Sequence, residues 1–201
     1  REAAGEEIDI EEFVSRAQSL VGQYPELQAV SWIDERRRVK ASYSAPSLTS
    51  SQMRFVDEVL RPGETETNFS LARDLHQPVY AQPQGSDQQL LQLHIPLTDR
   101  GRFAGVVLAE YSPEGLLRQG VPAEVASKYA VAMFNAQGRL LAGNAVQPAP
   151  VGSQLLPWAS RSPAYEVPVS PVGNGLLLRA QPYRTSQGVV GSGLFWLVGA
   201  L

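Results

Sequence analysis

The chain contains the same structural unit twice. Residues 29–41, AVSWIDERRRVKA, align without a gap on residues 130–142, AVAMFNAQGRLLA, at an offset of 130 − 29 = 101. A second match, of residues 95–111 on residues 167–183, has an offset of 168 − 96 = 72, so the first copy holds 101 − 72 = 29 additional residues between its matched segments. A repeat of this length predicts two similar domains in tandem and not a solenoid. We expect a specific function in the copy that has the additional residues.

Composition excludes several classes of protein. With 201 residues and a net charge of −3, the chain has room for one or two domains and no basic surface for nucleic acid. The absence of cysteine removes disulfides and thiolate chemistry, and two histidines, His76 and His94, are too few for a histidine-rich metal cluster. The motifs of phosphate loops and nucleophile elbows are also missing. We therefore predict no catalytic residues, no metal, no cofactor and no enzymatic activity for this chain.

An amphipathic helix is predicted before Pro25. Asp9 and Glu12 form a capping box, and acidic residues crowd the first turn, where the helix dipole favours negative charge. Apolar residues follow at helical spacing: Ile10, Phe13, Val14, Ala17, Leu20, Val21 and Tyr24. The stripe fits two interpretations, a helix packed on a sheet and a signalling stalk that also carries a dimer seam.

Alternating and helical spacings divide the rest of the first copy into short elements. The predicted order is a hairpin of residues 28–34 and 38–43, helices at 51–61 and 68–76, an extended segment at 78–83, a half-buried strand at 91–97 and a central return strand at 103–111. The second copy repeats the two hairpins, with turns at residues 136–138 and 172–175. About fifty residues separate the hairpins of the first copy and about twenty those of the second, so only the first connector is long enough to enclose a binding pocket.

These segments resemble a known family. The strand VSWID at residues 30–34, the segment LARDLHQPVY at 71–80, and the hairpin with LHIP at 93–96 and GRFAG at 101–105 are similar to tandem PAS-like sensor domains, also called double Cache or PDC domains. Such extracytoplasmic domains belong to bacterial membrane histidine kinases, chemoreceptors and diguanylate cyclases. The general likeness is greatest to kinases of the dicarboxylate-sensor type.

The resemblance extends from Asp9 to Tyr183 and is structural more than chemical. Its motifs therefore specify the fold better than the ligand. This sequence departs from the family pattern at Arg36 and Arg37, where the family usually has turn residues such as Asp-Gly.

The resemblance implies an α+β fold of two tandem PAS-like domains, each an antiparallel sheet with flanking helices, which share a long N-terminal helix. The implied divisions are a stalk helix at residues 1–24, a membrane-distal domain at 25–112, a membrane-proximal domain at 113–187 and an apolar end at 188–201. That apolar end is shorter than the ~20 residues that cross a bilayer. It fits either a buried terminal element or the start of a transmembrane helix.

The resemblance also implies a function. We expect a periplasmic ligand-sensing domain of a bacterial inner-membrane receptor, with a two-component histidine kinase as the first expectation and a chemoreceptor or diguanylate cyclase as alternatives. The expected partners are a small molecule such as a carboxylate in the membrane-distal domain, a second copy in a homodimer, and the membrane through flanking segments. A structural or protein-interaction module without a small-molecule ligand is the second class of function that stays open.

Three candidate ligand-binding residues come from the long connector. Arg73 and His76 are three residues apart and share one side of a predicted helix, and Tyr80 follows on the extended segment. An arginine and a histidine together suit a carboxylate, which arginine can bind through two hydrogen bonds. The alternatives are a solvated charge for Arg73, an interaction with the helix dipole for His76 and a core position for Tyr80.

Three further candidates come from the strands. Trp32 and Tyr43 line the pocket or fill the core. His94 lies on the face of its strand opposite Leu93 and Ile95, so it points either to solvent or into the pocket.

Overall fold

The computed structural model describes residues 9–60, 63–81, 90–144, 164–169 and 175–183. The elements in chain order are α1 Ile10–Gln23, β1 Leu27–Asp34, β2 Val39–Ser44, α2 Glu64–Leu75, β3 Val79–Ala81, β4 Leu91–Asp99, β5 Arg102–Tyr111, α3 Pro113–Gly120, α4 Ala123–Lys128, β6 Tyr129–Phe134, β7 Leu140–Gly143, β8 Tyr165–Pro168 and β9 Leu177–Pro182.

The strands form two antiparallel sheets. The first has the order β2-β1-β5-β4-β3 and the second the order β7-β6-β9-β8. The two hairpins of each copy therefore lie in a sheet of their own, as the repeat predicts. The predicted α+β fold of two PAS-like units is confirmed, whereas the residue boundaries of the domains stay predictions.

The first repeat match extends to individual hydrogen bonds of the two turns. At the β1–β2 turn the carboxylate of Asp34 accepts hydrogen bonds from the backbone N–H groups of Arg36 and Arg38. At the β6–β7 turn the side-chain oxygen of Asn135 accepts from the two N–H groups in the corresponding positions. Arg37, at φ 66°, adopts the left-handed conformation that glycine adopts at Gly138, at φ 74°. The departure from the family pattern at this turn thus leaves the turn geometry intact.

The second repeat match needs a correction of one residue. Leu93 of β4 pairs with Ala109 of β5, and Tyr165 of β8 pairs with Ala180 of β9. The offset is 165 − 93 = 72 for the outer strands, as predicted, but 180 − 109 = 71 for the return strands. The reason is a register irregularity between Leu97 and Thr98, which takes up one additional residue in the first hairpin.

Helix α1 packs on β1 and β2. Its predicted N-cap is present, since the side chain of Asp9 accepts a hydrogen bond from the backbone N–H of Glu11. Of the predicted apolar stripe, Ala17 and Val21 are buried against the first sheet. Leu20 and Tyr24 are exposed, so part of the stripe stays open to a dimer seam.

The predicted helix at residues 51–61 is wrong. Residues 49–60, which we call the strap, form turns that end in a backbone pairing with the edge of β2. In this pairing the N–H of Val39 donates to the carbonyl oxygen of Glu58, and the N–H of Leu60 donates to the carbonyl oxygen of Arg37. Helical spacing is a weak signal that tertiary hydrogen bonding overrides. Helix α2 begins at Glu64, earlier than predicted, and ends at Leu75.

The face of β4 with the polar side chains is buried more deeply than the sequence indicates. Gln92 and His94 are 1% and 0% exposed, whereas Ile95 on the apolar face is 36% exposed. The connector between β2 and β3, residues 45–78, packs against the polar face of the first sheet through α2 and the strap. Leu91 on the apolar face is also buried, at 1% exposure, so this part of β4 is covered on both faces and is not the half-buried strand predicted. Of the two alternatives predicted for His94, the structure excludes the one in which it points to solvent.

No helix in the part of the chain that the structure describes is long and apolar enough to cross a membrane. Residues 188–201, for which a transmembrane start was one alternative, lie outside the described residues. Residues 1–8 of the predicted stalk also lie outside them.

Candidate ligand site

The two faces of the first sheet have different chemistry. Val30 and Ala109 point to the α1 face and pack with Ala17 and Val21 in an apolar cluster. The opposite face meets the connector. There a second apolar cluster joins the sheet to α2 and to the strap: Ile33, Val39, Leu60, Phe69, Ala72, Val79, Val106 and Leu108.

A group of polar side chains interrupts the connector face of the sheet. Ser31, Gln92, His94 and Glu110 are all buried to 2% exposure or less. The strand register brings them together, because Leu108 pairs with both Ser31 and His94, and Glu110 lies beside Gln92. Buried polar groups are expected to find hydrogen-bond partners. Ser31 meets this expectation, since its hydroxyl lies 2.8 Å from that of Ser42.

Glu110 is the centre of the cluster. Its Oε1 accepts a hydrogen bond from Nε2 of Gln92 at 2.8 Å, and Nη2 of Arg54 lies 3.4 Å from the same oxygen. Arg54 belongs to the strap, and its side chain is 22% exposed. A buried carboxylate is costly unless it is paired, and Arg54 supplies the opposite charge. The strap is thus tied to the central strand of the sheet by an ion pair.

Several buried polar atoms of the cluster have no hydrogen-bond partner among the described residues. They are both ring nitrogens of His94, Oε2 of Glu110 and Nε of Arg54. An unsatisfied buried polar group costs about 1–3 kcal/mol, so three such side chains at one place are not explained by stability of the fold. Such groups are the fixed polar contacts that a small-molecule site presents.

Burial, and to a smaller extent the positive charge of Arg54, lower the pKa of His94 from its ordinary value to about 4. His94 is therefore uncharged at neutral pH. The cluster then carries one positive charge on Arg54 and one negative charge on Glu110. A bound molecule would meet both charges and a neutral imidazole.

The six residues predicted to bind ligand do not lie together. His94 belongs to the polar cluster. Trp32 and Tyr43 lie on the α1 face, where the ring of Trp32 is 6.0 Å from that of Phe13. The indole N–H of Trp32 is buried, and no described residue accepts a hydrogen bond from it.

The remaining three candidates also lie apart from the cluster. Tyr80 pairs with Leu93, so its side chain is on the α1 face of the sheet. Its proximity is one of the causes, after burial, that raise the pKa of Tyr111. Arg73 forms an exposed ion pair with Asp74, and His76 is exposed at the left-handed C-cap of α2. A role in binding for these residues stays a prediction.

Sequence reasoning missed Arg54, Gln92 and Glu110. Arg54 was assigned to a helix that does not form. Glu110 stands in a strand that was interpreted as central and apolar on both faces. A lone carboxylate in such a strand is itself a signal, because buried acidic residues are rare unless they are paired. Its partner, however, lies 56 residues away in the sequence and could not be identified by spacing.

At the level of sequence the chain matches no protein-family profile and no curated protein. Solved structures do match its fold. The extracellular domain of the putative histidine kinase mmHK1S-Z3 is 11% identical, with 92% of this chain and 83% of that chain covered and a TM-score of 0.53. The ligand-binding domain of the Campylobacter jejuni chemoreceptor Tlp3, in complex with 4-methylisoleucine, is 10% identical over 89% of this chain and 73% of that chain, with a TM-score of 0.53.

A third similar structure is Methyl-accepting Chemotaxis protein X, 14% identical over 90% of this chain and 84% of that chain, with a TM-score of 0.52. At these identities the likeness is one of fold. The chain has the fold of the extracellular sensor domains of histidine kinases and chemoreceptors, and the predicted resemblance to tandem PAS-like sensor domains is confirmed at that level.

Proposed function

We propose that this chain is the extracytoplasmic sensing domain of a bacterial membrane receptor and that it binds a small molecule between the first sheet and the strap. The observation that supports this most strongly is that buried polar atoms of His94, Glu110 and the neighbouring Arg54 have no partner among the described residues. The fold shared with receptor sensor domains points in the same direction.

The chemistry of the cluster suggests a ligand with a carboxylate. The guanidinium of Arg54 is the group that would bind it, since its Nε–H is buried and faces no described acceptor. The second oxygen of Glu110 would accept a hydrogen bond from a donor on the same ligand. Amino acids carry both groups, and the Tlp3 domain of similar fold was solved with 4-methylisoleucine and with L-norvaline, which makes amino acids the first compounds to test.

The proposed arrangement of the receptor follows the predicted divisions. Residues 25–112 form the membrane-distal sensing unit and residues 113–187 the membrane-proximal unit, and flanking segments anchor both in the inner membrane. A histidine kinase is the proposed output, with a chemoreceptor or diguanylate cyclase as alternatives. The exposed apolar residues of α1, such as Leu20, are the proposed seam of a homodimer.

Thermal-shift screening of the 201-residue chain with amino acids and small carboxylates tests the binding proposal. A compound at 100 times its Kd is expected to add about 2.7 kcal/mol to the free energy of unfolding. Isothermal titration of the same compound into Arg54→Gln should show at least a tenfold loss of affinity, about 1.4 kcal/mol. Arg36→Gln is the matched control, because that side chain lies exposed at the β1–β2 turn.

Arg73→Gln separates this site from the helical site that the sequence suggests. We expect it to bind the compound like the unchanged chain, since Arg73 is exposed and paired with Asp74. Full loss of binding in Arg73→Gln together with normal binding in Arg54→Gln would contradict the proposed site. The absence of any bound compound would favour a structural or protein-interaction module.

A further inference from the structure

His94 occupies a position in the sheet where no neighbouring strand can satisfy its ring. On one side it pairs with Val79 of β3 and on the other with Leu108 of β5. Both side chains are apolar and buried. The next polar groups along this row are the hydroxyls of Ser31 and Ser42, which are 2.8 Å apart and bond to each other. The ring nitrogens of His94 therefore have no partner among these neighbours.

The charges that face His94 come from Arg54 of the strap and from Glu110 of β5. Arg54 acts on His94 as a nearby positive charge, and Glu110 is the ion-pair partner of Arg54. Helix α2 carries Arg73 and Asp74, and His76 follows at its C-cap, but these three side chains are exposed and do not belong to the cluster. Glu66 of the same helix is paired with Arg37. In this setting a positive charge on the imidazole is disfavoured, and the ring is a neutral group.

A neutral imidazole has one N–H donor and one lone-pair acceptor. A methyl group placed against it leaves both unsatisfied, and a second cation would be repelled by Arg54. A hydroxyl group can accept from the N–H or donate to the other nitrogen, so it fits whichever ring nitrogen carries the proton. The ring thus distinguishes between groups of similar size and different hydrogen-bonding capacity.

We propose that His94 is the specificity-determining residue of this site and that it selects ligands with a hydroxyl group beside the carboxylate that Arg54 binds. This inference rests on the proposed function and deepens it. A site built to hydrogen-bond a hydroxyl rejects an analogue that lacks it, because the buried groups of the protein then stay unpaired. The preferred ligand class is therefore hydroxylated amino acids and hydroxy acids over their aliphatic counterparts.

Pairs of compounds that differ by one hydroxyl group test the inference. L-threonine and L-valine differ by a hydroxyl in place of a methyl group, and malate and succinate differ by one hydroxyl. Isothermal titration of the unchanged chain at pH 7.5 should show binding of at least one hydroxylated member, with an affinity about tenfold or more above that of its partner. Equal affinities within both pairs, or a preference for the aliphatic member, would overturn the inference.

Two variants then assign the preference to His94. His94→Leu removes both hydrogen-bonding atoms and should abolish the preference, so that the two members of a pair bind with affinities within about threefold of each other. His94→Gln keeps a neutral donor and acceptor and should retain part of the preference. Circular dichroism and thermal unfolding at pH 7.5 show that each variant is folded before titration. A preference that persists unchanged in His94→Leu would show that another residue provides it.

The outcomes separate this inference from the proposed function. If compounds bind and Arg54→Gln weakens them, but His94→Leu leaves the preference intact, only the role of His94 is wrong. If neither pair binds to the unchanged chain, while other carboxylates in the screen do, the hydroxyl selection is wrong and the sensing function stands. If no compound in the screen binds, both are wrong.

Discussion

The two units place different chemistry at corresponding points of their two sheets. In the first unit His94 of β4 pairs with Leu108 of β5, and both are buried. With the offsets of 72 and 71 residues, the corresponding pair in the second unit is Glu166 of β8 and Arg179 of β9, which also face each other. Their side chains form an ion pair at 2.7 Å and are 44% and 41% exposed.

The same contrast extends to the neighbouring positions. Ser31 corresponds to Ala132, and Glu110 corresponds to Gln181, which is not buried. Arg54 belongs to the long connector of the first copy and has no counterpart at either offset. A charged pair at the surface needs no further partner, because water solvates it. A neutral or charged group under the connector needs one, and this difference is why we assign the ligand site to the first unit.

The largest expected effect tests whether α2 holds the first unit together. Phe69 of α2 is buried and contacts Phe103 edge to face at 5.4 Å. Phe69→Ala should lower the free energy of unfolding by about 3–5 kcal/mol in urea denaturation, because it removes a large side chain and leaves a cavity. Leu71→Ala, on the exposed side of the same helix, is the control and should change it by less than about 0.5 kcal/mol. Similar small effects of both variants would mean that α2 is not an essential layer of this unit.

The next effect is a dependence of stability on pH that only the first unit should produce. The pKa of His94 is about 4 in the folded chain and about 6.5 when the residue is unfolded, so the unfolded state binds the proton more readily. This contribution to stability is complete above pH ~6.5 and falls as the pH drops towards 4, by about 3 kcal/mol in total. His94→Leu should remove that part of the acid destabilisation in urea titrations at a series of pH values. Parallel pH profiles for the two chains would contradict the neutral buried state of His94.

The smallest effects compare one carboxylate from each unit. Glu110→Gln gives the first unit a glutamine at this position, as the second unit has at Gln181. It should cost about 1–3 kcal/mol, because Arg54 loses the charge that compensates it. Glu166→Gln breaks only the exposed pair with Arg179 and should cost less than about 1 kcal/mol. Urea denaturation of both variants in 0.1 M and 1 M salt checks the order. A larger cost for Glu166→Gln would show that the exposed pair is the more important of the two.

Much of the fold was predictable because it depends on local patterns. The gapless match of the two first hairpins is reproduced in the turn bonds of Asp34 and Asn135 and in the register shift before Ile33 and Phe134. Capping by Asp9 was visible because a cap needs only neighbours in the sequence. The strap was not predictable, since its pairing with β2 competes with a helical spacing of apolar residues.

The candidate site was predictable only in its location. The 29 additional residues indicated the first unit, and His94 was recognised as a residue on the polar face of its strand. The amino-acid sequence by itself determined the repeat, the alternation of each strand and the charges available. Only the tertiary structure decided which face of β4 the connector covers, and hence that Arg54 pairs with Glu110 on the same face of the sheet as His94. These residues are far apart in the chain, and their burial depends on how the layers pack and not on any local segment.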